Sequence, residues 1–205
     1  MKTSVSQFLS KTKVFSKVTG IALGLAFSQQ ALASWHLDPL HSELHFVTVK
    51  NTAVTEVHSF RTINGVINNQ GVVVVDIDLA SVNTNIEIRD ERMKEMLFNV
   101  VNYPEASLSA QVDLKVLNGM KVGEIKTVPL TVELSLHDHQ QKIDTKVSVT
   151  VLSDGAFQVN TLQPIIINTA QFELTNGVKA LQDVAKLDSI ATSIPVTAQF
   201  VFQPE

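Results

Sequence analysis

The residues best equipped for chemistry are six histidines, and four of them fall into two short groups. His41, Glu43 and His45 alternate along one run, and His137 and His139 alternate along another. Alternate residues of a strand point the same way, so either group could offer imidazole nitrogens to a zinc ion, with Glu43 completing the set. A metal centre of this kind needs at least three of His36, His41, His45, His58, His137 and His139 to converge. Strand parity argues against it. Leu44 and Phe46 are the apolar residues of the first run, which turns His41, Glu43 and His45 toward solvent. His137 opposes Leu134 and Leu136 in the same way, and His139 falls in a turn. No metal ligand is assigned.

A second group lies in the charged stretch TNIEIRDERMKEMLF, residues 84–98. Arg89 could face a phosphate or another polar headgroup, because guanidinium suits bidentate recognition of oxygen. The alternative is an Arg89–Asp90 ion-pair or capping network that pins the segment to neighbouring strands. Glu91 and Glu95, with Arg92 and Lys94 beside them, read as a solvated face. The chain has no cysteine, no G-x-S-x-G, no H-E-x-x-H and no glycine-rich phosphate loop. No catalytic residue is assigned, and the chain is not expected to be an enzyme.

The elements that position these residues are mostly strands. Ala106, Leu108, Ala110, Val112, Leu114 and Val116 alternate with polar residues, as do Val128, Leu130, Val132, Leu134 and Leu136. After the polar turn HDHQQK, Ile143, Thr145, Val147, Val149 and Val151 continue the pattern and predict a hairpin. Further strands fit Val72–Ala80, His36–Lys50, Val57–Ile67, Phe157–Asn160, Ile165–Leu174 and the C-terminal run with Ile194, Val196, Ala198, Phe200 and Phe202. About eight long half-apolar strands with no blunted edge favour a closed antiparallel barrel over a sandwich. Two short helices interrupt them. One is Val178–Lys186; the other is residues 84–98, with Asn83, Thr84 and Asn85 as capping side chains and Pro104 as its stop.

The first 33 residues have four lysines, no acid, the apolar run Val18–Phe27 and a small-residue cleavage site at Ala31 and Ala33. This is the pattern of a cleaved signal peptide over 1–33. Its apolar run is shorter than the roughly 20 residues of a spanning helix. Export to the periplasm or outside the cell, after cleavage near Ala33–Ser34, is the expectation. Residues 34–205 then form one domain with twelve basic and twenty acidic residues, a net charge of −8. That balance disfavours nucleic acid and anionic membrane surfaces as partners.

With the elements in place, LDPLHSELHF (37–46) and SVNT…RDERM…LF…NYPEASLSA (81–110) together resemble the YceI-like family of bacterial polyisoprenoid- or lipid-binding proteins. Asp38, Pro39, His41, Ser42 and Phe46 fit the first motif, and Ser81, Val82, Thr84, Arg89, Asp90, Phe98, Tyr103 and Pro104 fit the second. Leu108 stands where the family has an aromatic. The resemblance implies an all-β, eight-stranded, lipocalin-like barrel that holds a long-chain amphiphile of polyisoprenoid, quinone or fatty-acid type, without known catalysis and without a cofactor beyond that lipid.

The residues expected to touch the lipid are Phe46, Phe60, Arg89, Met93, Met96, Leu97, Phe98, Tyr103, Leu108 and Phe172. Two other readings are carried. One is a metal-dependent or lipid-modifying enzyme using the histidines; the other is an envelope-stress or adhesion protein with a filled barrel, acting by protein contact. Expected partners are the lipid and, as an open option, a second copy in a homodimer. Neither nucleic acid nor stable membrane insertion is expected.

Overall fold

The computed structural model describes residues 34–205, so the leader expected over 1–33 lies outside the described residues. Eight antiparallel strands close into a barrel. β1 comprises Trp35–Leu37 and Glu43–Lys50, and β2 comprises Val54–Phe60 and Ile63–Ile67. They are followed by β3 (Val72–Asp78), β4 (Glu105–Gln111), β5 (Ile125–Leu136) and β6 (His139–Val151). β7 comprises Phe157–Thr161 and Ile165–Asn168, and β8 is Ser193–Pro204. Each strand pairs with its sequence neighbour, and β1 pairs with β8 (Val196 opposite Phe46, Phe202 opposite Leu37) to close the ring. Closure leaves no long free edge, which is how a chain of long apolar-faced strands avoids pairing with other chains.

The first two strands are each broken once. The D-P-L-H turn interrupts β1, where Asp38 accepts hydrogen bonds from the Leu40 amide (2.9 Å) and the His41 ring (2.7 Å). β2 breaks at Arg61–Thr62. The β5–β6 hairpin turns on His137 and Asp138 alone, both at positive φ, so His139 begins a strand instead of sitting in the turn. The expected strand 106–116 stops at Gln111. Leu114–Asn118 forms a short helix, α2, capped by Asp113, which accepts from the Lys115 amide. It is a third helix, which the alternation of Leu114 with Val116 concealed.

At the end of the barrel bearing α2, Trp35, Leu37, Leu117, Phe157 and Phe202 are buried. The Trp35 indole donates to the Gly155 carbonyl at 3.0 Å and lies 5.4 Å from the Phe157 ring. The other end carries α1 (Glu87–Arg92), its continuation as a π-helix (Met93–Phe98), and α3 (Thr175–Ala185). Their caps differ from expectation. Ile86 holds the N-cap position with no side-chain bond, and Asn99 in left-handed geometry ends the π-helix before Pro104 is reached.

Asp90 works in reverse of a cap: buried inside the helix, it accepts hydrogen bonds from the Thr84 amide (2.8 Å) and the Thr84 hydroxyl. Asp90→Ala leaves the buried Thr84 amide without a partner and the hydroxyl with only the Ile86 carbonyl at 3.4 Å. The expected loss, read from urea unfolding, is about 3 kcal/mol.

Candidate functional site

The barrel is hollow. Inward-facing Leu108, Val112, Val128, Leu130, Val132, Ile143 and Val159 are only half-buried although the wall shields them from outside solvent. Their free surface faces a cavity of about 490 Å³. A cavity of this size falls in the range that takes one small ligand. The plugged end is apolar, and the lining changes character toward the helical end.

Strand β1 shows that gradient along a single face. From the plugged end upward its inward residues are Leu44, Phe46, Thr48 and Lys50, and on β2 the matching residues are Phe60, His58 and Glu56. Phe46 lies opposite His58 and Thr48 opposite Glu56, so an aromatic pair gives way to a polar pair one step higher. The Phe46 ring is 5.4 Å from Phe60 and 5.1 Å from the His58 imidazole, and Phe60 is 5.9 Å from Phe98.

Arg89 completes the polar end. Its Nη1 donates to the Glu56 carboxylate at 2.8 Å and its Nη2 to the Thr84 carbonyl at 2.7 Å, while Lys50 pairs with the same Glu56 oxygen. The ion-pair reading of this residue therefore holds in part: Arg89 ties α1 to β2, and it also lines the cavity. Arg92, read from the sequence as part of a solvated face, is half-buried and lines the cavity too. It stands four residues after Ile88 and three after Arg89, on the same helix face.

The electrostatics of the cluster follow from its burial. Burial pushes the Glu56 carboxyl up, but the hydrogen bond from Lys50 and the Arg89 charge outweigh it and hold the group below its ordinary value. Burial, then the Arg89 charge, lowers His58, with Glu56 opposing. The His58 Nε2 lies 2.8 Å from the Thr48 hydroxyl, whereas its Nδ1 and the Arg89 Nε are buried with no partner among the described residues.

A histidine held below its unfolded value makes stability pH-dependent in one direction. The unfolded chain takes up the proton first, so stability is full above about pH 6.5 and falls below it until the folded imidazole also titrates. His58→Phe is expected to remove part of the loss in urea midpoint between pH 7 and pH 5. A variant that keeps the whole slope contradicts the assignment.

Of the residues expected to touch a ligand, Phe46, Phe60, Arg89, Met93, Leu97, Phe98 and Leu108 line the cavity. Three do not. Met96 is turned away because the π-helix, with its i→i+5 hydrogen bonds, winds more slowly than an α-helix and puts Met93, Leu97 and Phe98 on the cavity face together. Tyr103 packs at the rim against His137, with ring centroids 3.9 Å apart. Phe172 is buried in a 3₁₀ turn outside the lining. Sequence reasoning missed Thr48, Lys50, Glu56, His58 and Arg92. Parity could have found Thr48 and Lys50, which share a face with Leu44 and Phe46.

The histidines do not converge. His41 pairs with Asp38, His45 with Glu43 at 3.1 Å and His139 with Glu173 at 3.6 Å. Among the described residues no three histidine, aspartate, glutamate or cysteine side chains gather as a metal site. No helix among them is long and apolar enough to cross a membrane.

The YceI-like domain family matches residues 35–202, nearly the whole barrel. The chain belongs to this family. Its members are known as binding proteins, not as enzymes. Among solved structures, this YceI-like chain is similar to a polyisoprenoid-binding domain from Saccharophagus degradans, implicated in plant cell wall breakdown. Identity is 35% over 83% of this chain and 98% of that one, with a TM-score of 0.82. BcnA of Burkholderia cenocepacia is 16% identical over 80% of this chain and 98% of its own, with a TM-score of 0.57, which is a likeness of fold. No curated protein matches this chain.

Proposed function

We propose that this protein is an exported carrier that holds one long-chain amphiphilic lipid, of polyisoprenoid, quinone or fatty-acid type, inside the barrel. The observation that carries the reading is the hollow lumen, lined mainly by aliphatic and aromatic side chains and charged at one end only. A tail of ~15 methylenes gains on the order of 10 kcal/mol on entering such a lumen, before association costs. The polyisoprenoid-binding relative supports the same class of ligand. The leader pattern over 1–33 supports export, and an intact mass beginning at Ser34 for protein recovered from the periplasm or medium would test it.

The carrier reading is tested with N-phenylnaphthylamine, which fluoresces in apolar surroundings. The solvent-extracted protein is expected to take up one fluorophore per chain and release it to long-chain lipids. Absence of uptake by a folded protein overturns the reading.

A further inference from the structure

The charged groups on the cavity wall are unevenly matched. Lys50, Arg89 and Arg92 line it, against a single carboxylate, Glu56, while His58 is held toward its neutral form. Asp90 is close to His58 but is not part of the lining, and its Oδ1 is already taken by both Thr84 donors. The lumen is therefore cationic at one end, in a chain whose net charge from Ser34 onward is −8. Two further polar atoms at the same place are unmatched. The buried His58 Nδ1 and the Arg89 Nε have no partner among the described residues, and both residues line the cavity. Both atoms lie behind the lining surface, so the cationic excess of the wall, and not these two atoms, is what a head group meets.

We infer that the polar end of the lumen is an oxyanion site, selecting amphiphiles that end in a carboxylate or phosphate over neutral-headed lipids of equal length. This rests on the carrier reading and adds the chemistry of the head. Lys50, Arg89 and Arg92 against the one carboxylate of Glu56 leave two positive charges on the wall, and these draw the oxyanion. Exposed Ile86, Ile88 and Val184 also line the cavity, so this end meets solvent and the head lies near the mouth with the tail running toward Phe157 and Phe202.

The test uses the solvent-extracted chain from Ser34 and three ligands with one tail: hexadecanoate, hexadecyl phosphate and hexadecanol, each displacing N-phenylnaphthylamine. At least one anion is expected to bind about tenfold or more tighter than the alcohol, and the tighter of the two identifies the head. Arg89→Gln and, separately, Lys50→Met should weaken the anions severalfold more than the alcohol. Glu56→Gln, which frees both cations, should strengthen the anions, an effect that loss of a structural ion pair would not produce. Circular dichroism establishes that each variant is folded, and Lys50→Met decides the matter if Arg89→Gln is not. Equal affinity for all three ligands, or equal weakening of all three by the variants, overturns the oxyanion site. Uptake of the fluorophore with no displacement by any of the three overturns it as well, and displacement by a neutral polyisoprenoid quinone in that case keeps the carrier reading. A failure to take up the fluorophore removes both.

Discussion

Filling the lumen from two sides, with Ala110→Trp and Ala198→Trp together, is expected to abolish lipid uptake and leave the barrel folded. Ala110 lies on β4 and Ala198 on β8, four strands apart in a ring of eight, so the two side chains enter from opposite walls. Both residues line the cavity. In a close-packed core such substitutions are destabilising, typically by 1–3 kcal/mol, because neighbours must shift. Here the indoles enter open space, so the urea midpoint should change little. The ligand loses what the indoles occupy. Exclusion of four methylenes alone removes about 3 kcal/mol of binding, more than a hundredfold in affinity. Tight uptake by the folded double variant would mean that the lipid does not lie in the lumen.

Gly177→Ala is expected to destabilise the protein by about 3 kcal/mol, against the usual sign of this change in a helix, where alanine is favoured by about 1 kcal/mol. A Cβ at Gly177 would lie 2.7 Å from the Met96 carbonyl oxygen and 2.8 Å from the Leu97 Cα. Both are backbone atoms of the π-helix, and neither can swing aside as a side-chain tip does. Helix α3 would have to lift away from the π-helix, and the two helices together cover the helical end of the lumen. Faster release of bound lipid should accompany the loss, measured as the dissociation rate of N-phenylnaphthylamine. A Gly177→Ala protein as stable as its parent would contradict the close packing of these helices.

The sequence was most legible where the physics was periodic. Alternation along Ala106–Ala110, Val128–Leu136 and Ile143–Val151 identifies the wall strands and the side that faces inward, because a one-residue slip would expose every apolar side chain. Where alternation outran its cause, it misled. Leu114 and Val116 keep the strand pattern, yet Asp113 caps a helix there. Met96 keeps helical spacing, yet a π-helix turns it off the cavity face.

The polar end of the site was hidden for a different reason. Parity says which side of a strand faces in but not how deep a residue lies. Neither Lys50 nor Glu56 is among the residues expected to touch the lipid, although both face the lumen at its helical end. Whether that lumen was filled or hollow could not be decided from alternation, since both barrels carry the same pattern. The half-buried inward faces of Leu130, Val132 and Ile143 decide it.

The central claim, that the barrel carries a lipid, is tested most directly by native mass spectrometry of the freshly purified protein before and after solvent extraction. The account predicts a species heavier than the chain by the mass of one long-chain lipid, collapsing to the bare chain mass after extraction. A bare chain mass before extraction, under conditions gentle enough to keep the barrel folded, would contradict it.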